Sequence, residues 1–143
     1  MTNNNSIPVA PSLPDLVVYS PKVNLVEIRR DPVTYPRISA GTEEEAVNKM
    51  RPLIWAAFLY RGQEATKTSL DFIAVTLVRE ILNDTKFGLP SLSWQEIGMV
   101  IRRSVLGAAK ELYGVSVASL YAALVEYAKN EGHEAARQAQ AYK

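Results

Sequence analysis

Five residues in the C-terminal half are the ones whose types and spacing suit contact with an anionic polymer: Arg102, Arg103, Lys110, Ser116 and Ser119. Guanidinium and ammonium groups of this kind make phosphate contacts that fix position without reading sequence. Ser116 and Ser119 stand at the expected start of a helix, whose first residues are the ones that enter a groove in helix-turn-helix geometry. Glu96 and Glu111 offset the positive side chains, and no Arg, Lys, Asn or Gln lies between Ser116 and Leu124 to pair bidentately with a base edge, so sequence-specific readout is not expected.

Other chemistry finds little support. His133 is the single histidine, set between Glu131 and Glu134 in a polar tail, and with no cysteine a metal centre would have only carboxylates to complete it. The same isolation argues against a Ser-His-Asp arrangement, since nothing near His133 would hold an imidazole in place. The seven glycines, at 41, 62, 88, 98, 107, 114 and 132, never approach the spacing of a phosphate-cradling loop. Glu43, Glu44 and Glu45 splay around a helix start, where the macrodipole accounts for them without a ligand. Trp55, Trp94, Tyr60, Tyr113, Tyr121 and Tyr127 fall in apolar stripes, so they read as core or rim rather than as a base-stacking platform. The expectation is a protein that is not an enzyme and carries no cofactor and no metal.

The elements that must position these residues are helical. Thr42 with Glu45 forms a capping box, and the apolar run through Val47, Met50, Leu53, Ile54, Ala57 and Phe58 predicts a central helix bent at Pro52 and ended by Gly62. Leu70, Ile73, Ala74, Leu77, Val78, Ile81 and Leu82 give a clean stripe that predicts a helix from about Ser69 to Asn83. A second capping box, Ser93 with Glu96, opens a helix carrying Ile97, Val100, Ile101 and Val105 toward Gly107. One or two helical turns are expected over Ala108 to Tyr113. Ser116 then caps a last helix with Val117, Leu120, Tyr121, Leu124 and Ala128 facing inward. The residues from His133 to Lys143 have high helix propensity and little apolar face, so they are expected to run into solvent or fray.

Six of the eight prolines precede residue 37, so residues 1–41 read as a stiff, extended, Pro-rich arm and residues 42–143 as a helical domain. Alternation over residues 22–30 suggests a short edge strand within that arm. The fold expected is therefore mainly α, about a four-helix bundle preceded by an extended N-terminal arm. Such an arm lacks helical periodicity and cannot fold on its own, so it must lie on its own body or on a protein partner or a second copy, and prolines lower the entropy lost on docking.

Composition narrows the rest. With 143 residues the chain suits one domain that buries roughly 70% of the surface of its unfolded form. A formal charge of +1 supplies no long-range field toward nucleic acid or an anionic membrane. The densest apolar run, residues 53–60, is far short of the roughly 20 residues that span a bilayer, and no secretory leader is read at the start, so no membrane contact and a cytoplasmic location are expected. The absence of cysteine fits a reducing compartment.

The segment from Ala109 to Tyr121, with Gly114 as its turn and Ser116 opening the second helix, resembles the core of a helix-turn-helix DNA-binding motif; the plainer reading is two packed helices joined by a glycine turn. More broadly, residues 42 to 130 resemble small helical accessory proteins of phage and mobile-element replication, of the replisome-organiser or helicase-loader kind. The features that carry this are an apolar helix, a second helix, the Leu92 to Ile97 segment, the loop at Gly107 and a closing helix ending near Tyr127. The resemblance implies an all-α, non-catalytic module that touches DNA, a helicase or both. The alternative is a structural or adaptor subunit that uses its N-terminal arm on a neighbouring subunit or partner.

Overall fold

A computed structural model describes residues 24–106 and 115–141. The proline-rich stretch before residue 24, and Gly107, Lys110 and Gly114 with the turns expected around them, lie outside the described residues. Within them the chain is mainly α-helical, with no strand and one isolated antiparallel bridge between Arg37 and Ser93.

The helices are α1 (Leu25–Arg30), α2 (Glu43–Tyr60), α3 (Lys67–Leu82), α4 (Trp94–Leu106), α5 (Val117–Tyr127) and α6 (His133–Ala141), with 3-10 turns at Ile38–Ala40 and Leu89–Ser91. A π-helical segment, Ala128–Gly132, joins α5 to α6 without leaving helical backbone angles.

Local signals set the boundaries. The Thr42 hydroxyl accepts the Glu45 N–H while the Glu45 carboxylate accepts the Thr42 N–H, closing the expected capping box at the start of α2. That helix continues through Pro52 and ends in a Schellman arrangement: Gly62 is left-handed (φ 68°), its N–H reaches Leu59 O at 3.0 Å, and Gln63 N–H reaches Phe58 O at 2.9 Å. Glycine is favoured at that φ because a Cβ would crowd the next carbonyl oxygen along the chain. Thr66 caps α3 and Ser116 caps α5.

Helices α2 to α5 make the bundle: α2 packs on α3 and α4, and α5 packs on α3 and α4. Their shared interior holds Met50, Ile54, Ala57, Leu77, Val78, Ile81, Ile97, Ile101 and Leu124, all fully buried. Each buried side chain of this size contributes about 1.5–3 kcal/mol relative to exposure, which makes the bundle the source of most folding free energy.

Two expectations are corrected. Residues 25–30 form helix α1 rather than a strand, because the Asn24 side chain accepts the N–H groups of Val26 and Glu27 and nucleates a turn; of its residues only Ile28 is buried. Nor does the chain beyond Gly132 run off into solvent: α6 packs along α1 and buries Ala135 and Ala139. Small alanines allow the close approach that a larger apolar stripe would otherwise have advertised.

Candidate functional site

Arg103 lies on the exposed side of α4, paired with Glu131 at 2.5 Å. Arg102 is half-buried, with its Nε buried and without a hydrogen-bond partner. The Ser116 hydroxyl accepts the Ser119 N–H at 3.1 Å as the α5 N-cap, and the two hydroxyls lie 3.0 Å apart. Glu131, the partner of Arg103, stands about 20 Å along the helix from Ser116, at 1.5 Å of rise per residue. Arg103 and the serine pair therefore do not converge on one patch, and Lys110 lies outside the described residues. His133 is exposed at the start of α6, and no group of three or more acidic or histidine side chains fit to hold a metal occurs among the described residues.

What the structure does gather is a polar centre that sequence reasoning saw only in part. The Ser93 capping box forms as expected: Glu96 N–H donates to Ser93 Oγ at 3.1 Å, and Ser93 N–H and Oγ–H donate to Glu96 Oε1 at 3.0 Å each. The other carboxylate oxygen, Oε2, accepts Arg29 Nε from α1 at 2.8 Å and the Tyr127 hydroxyl from the end of α5 at 2.5 Å. Four donors thus converge on a carboxylate that has no exposure to solvent. A buried charge is tolerable on those terms, paired and fully hydrogen-bonded. Burial, and then the neighbouring Glu96, push the Tyr127 hydroxyl far above its ordinary range, so it remains a donor.

Arg37 extends the same centre outward. Its Nη1 donates to Ile28 O at 3.1 Å and Tyr35 O at 3.0 Å, and its Nη2 to Arg29 O at 2.7 Å, so a guanidinium caps the carbonyl end of α1. Burial lowers its pKa while Glu96 raises it, and an arginine stays charged through such shifts. Backbone bonds from Ile38 N–H to Leu92 O at 2.8 Å and from Trp94 N–H to Pro36 O at 3.1 Å tie this segment to the start of α4. Gly132 closes the other side: a Cβ there would stand 3.0 Å from the Tyr127 ring and 3.2 Å from Arg29 Nη2. This glycine ends the π segment that follows Tyr127.

Where these elements meet, the surface opens into a cleft of about 570 Å³ between α1, the Leu89–Ser91 turn and α6. Arg29, Arg30 and Arg37 line it with Ser91 and Gln140, over a floor of Ala136 and Ala139. Beyond Arg30 lies a second cleft of about 620 Å³, to which Glu27 and Asp31 contribute. No protein-family model, curated protein or solved structure matches the chain.

The arrangement ties α1, α4 and the end of α5 together through Glu96 and lines the adjoining cleft with guanidinium groups. The sequence signal available was the recurrence of arginine at 29, 30 and 37 in a proline-broken stretch. Periodicity gave no way to connect them to Glu96.

Proposed function

We propose that this chain is a non-catalytic accessory protein that acts by contact, of the kind phages and mobile elements use in replication or its control, touching a replication protein or DNA. The observation that supports it is the cleft lined by Arg29, Arg30 and Arg37, a basic surface set beside the buried Glu96 carboxylate with which Arg29 pairs. Such a surface recruits an anionic group without transforming it. The expected set at Arg102, Arg103, Lys110, Ser116 and Ser119 belongs to the DNA branch of this reading. Neutralising Arg102 and Arg103 together would then weaken binding to every DNA sequence alike and lower the salt dependence.

A structural or adaptor subunit is the second reading, favoured by large apolar side chains held out to solvent. Phe72 is 64% exposed on the side of α3 away from the bundle, and Val33 is 89% exposed in the turn after α1. Aromatic side chains in such positions are frequent anchors of protein contacts.

Mobility-shift titration of duplex and single-stranded DNA at low salt, beside solution mass measured with and without residues 1–23, separates the readings. Retained DNA that is released on neutralising Arg102 and Arg103 supports the DNA branch. An assembly lost on removal of residues 1–23, with the fold intact, supports the adaptor. A monomer that retains no DNA and co-purifies with no protein sinks both. The truncation stops at residue 23 because removing α1 would also remove Arg29 from Glu96.

A further inference from the structure

We propose that the cleft lined by Arg29, Arg30 and Arg37 is a receptor for an acidic segment of a partner protein, with a Glu or Asp side chain seated against the guanidinium groups of Arg29 and Arg37. The inference rests on the contact-based reading above and specifies the partner's chemistry.

Preorganisation is the first argument. Arg29 is anchored through Nε to Glu96, with its side chain only 11% exposed, and no hydrogen bond from its two terminal nitrogens is found among the described residues. Arg37 is fixed by three backbone carbonyls. Neither side chain must give up rotamer freedom on binding; the terminal nitrogens of Arg29 form an edge that matches a planar carboxylate, and Arg37, its Nη1 committed to Ile28 O and Tyr35 O, adds positive charge beside it. Ser91 and Gln140 add exposed polar groups at the rim, while Ala136 and Ala139 leave a shallow apolar floor along which a backbone can lie.

The surroundings favour a short acidic peptide over nucleic acid. A phosphodiester chain carries charge continuously, so any strand passing over Arg30 would run on to Glu27 and Asp31 in the adjoining cleft. Hydrogen bonds from Thr34 keep the Asp31 carboxyl below its ordinary pKa, and the site there is negative at neutral pH. A peptide can place a carboxylate over Arg29 and Arg37 and a neutral or basic residue beyond Arg30, satisfying both clefts.

The test uses the full chain and two fluorescein-labelled probes, hexaglutamate and a ten-residue oligothymidylate, in anisotropy titrations at low and at physiological salt. Two substitutions that add negative charge at the rim, Arg30→Glu and Ser91→Glu, leave Glu96 and its donors untouched, and Arg79→Glu on α3 makes the same charge change as Arg30→Glu outside the cleft. The expected result is that the wild type binds hexaglutamate more tightly than oligothymidylate. Both rim variants should weaken it about tenfold, Arg79→Glu should not, and all should melt as the wild type does. Absence of hexaglutamate binding at low salt, equal weakening by Arg79→Glu, or indifference to both rim variants overturns the proposal. Preferential binding of oligothymidylate that both rim variants abolish also overturns it and assigns the cleft to nucleic acid. If rim variants fail to alter peptide binding while removal of residues 1–23 still disrupts an assembly, the contact-based reading stands and only this cleft assignment falls.

Discussion

The bundle of α2 to α5 and the clasp formed by α1, the π segment and α6 are held by different forces. In the bundle, side chains such as Met50, Ile54, Leu77 and Ile81 are excluded from water and interlock with one another. The clasp buries a single large aliphatic on α1, Ile28, and two alanines on α6, and it is joined to the bundle through Glu96. Apolar packing is tolerant, since neighbouring side chains adjust to one another. A buried carboxylate is not, because its four donors must all be present or its desolvation is left uncompensated.

That contrast predicts its own most damaging substitution. Glu96→Ala leaves Arg29 half of a broken buried pair and removes the α4 capping box, and it should lower unfolding free energy by about 3–5 kcal/mol. Denaturant titration measures the loss. Arg29→Ala keeps the capping box, so a double-mutant cycle between the two isolates the ion pair. A combined loss equal to the sum of the single losses would mean that the clasp is not held by this pair.

Next in size is Leu77→Ala in the bundle, with an expected loss of about 2–5 kcal/mol from the cavity it leaves. Its signature should differ more than its magnitude. Amide exchange should accelerate in every helix after Leu77→Ala, whereas Arg29→Ala should release α1 and α6 first and spare α2 and α3. Identical exchange patterns would erase the distinction between the two regions.

Gly132→Ala probes the clasp with one methyl group. Helix propensity favours alanine by about 1 kcal/mol at an ordinary helical position. Here the added carbon would sit 3.0 Å from the Tyr127 ring and 3.3 Å from Tyr127 O, and overpacking of that kind costs about 1–3 kcal/mol. Net destabilisation is expected, in contrast to a control Gly→Ala substitution in a solvated helix. A stabilised Gly132→Ala protein would show that the π segment relaxes freely.

The same contrast explains what could be read from sequence. Bundle helices announce themselves because large apolar residues recur at helical spacing, and the caps at Thr42, Ser93 and Ser116 are local signals spanning three residues. Helix α6 escaped because its buried face is Ala135 and Ala139, which carry little hydropathy, and α1 escaped because a six-residue helix shows less than two turns of pattern. The capping role of Glu96 is local, whereas its bond to Arg29 joins residues 67 apart in sequence and has no periodic trace. Likewise the arginine cleft exists only once α6 has folded back along α1. The basic pair at Arg102 and Arg103 was visible as composition, but Arg103 meets Glu131 across 28 positions, which composition does not report.

The smallest effect concerns pH, and it returns to the clasp. Burial and the adjacent Glu96 raise the Tyr127 pKa above its ordinary value of 10.0, so the folded state holds that proton more tightly than the unfolded chain does. A group raised in this way contributes stability that is fully present below about pH 10 and is lost as pH climbs through the folded value. Unfolding free energy measured between pH 8 and 11.5 should therefore fall more steeply for the wild type than for Tyr127→Phe, with the divergence beginning near pH 10. No comparable dependence should appear in the bundle interior, whose buried positions in α2, α3 and α5 other than Tyr127 are apolar. Tyrosinate absorbance supplies the second readout: the wild type should show a delayed ionisation that Tyr127→Phe removes, while the ionisation of Tyr121, also raised by burial, Asp84 and Glu80, stays in both. Parallel limbs in the two proteins would mean that the clasp opens before Tyr127 titrates, leaving the bundle alone to resist alkali.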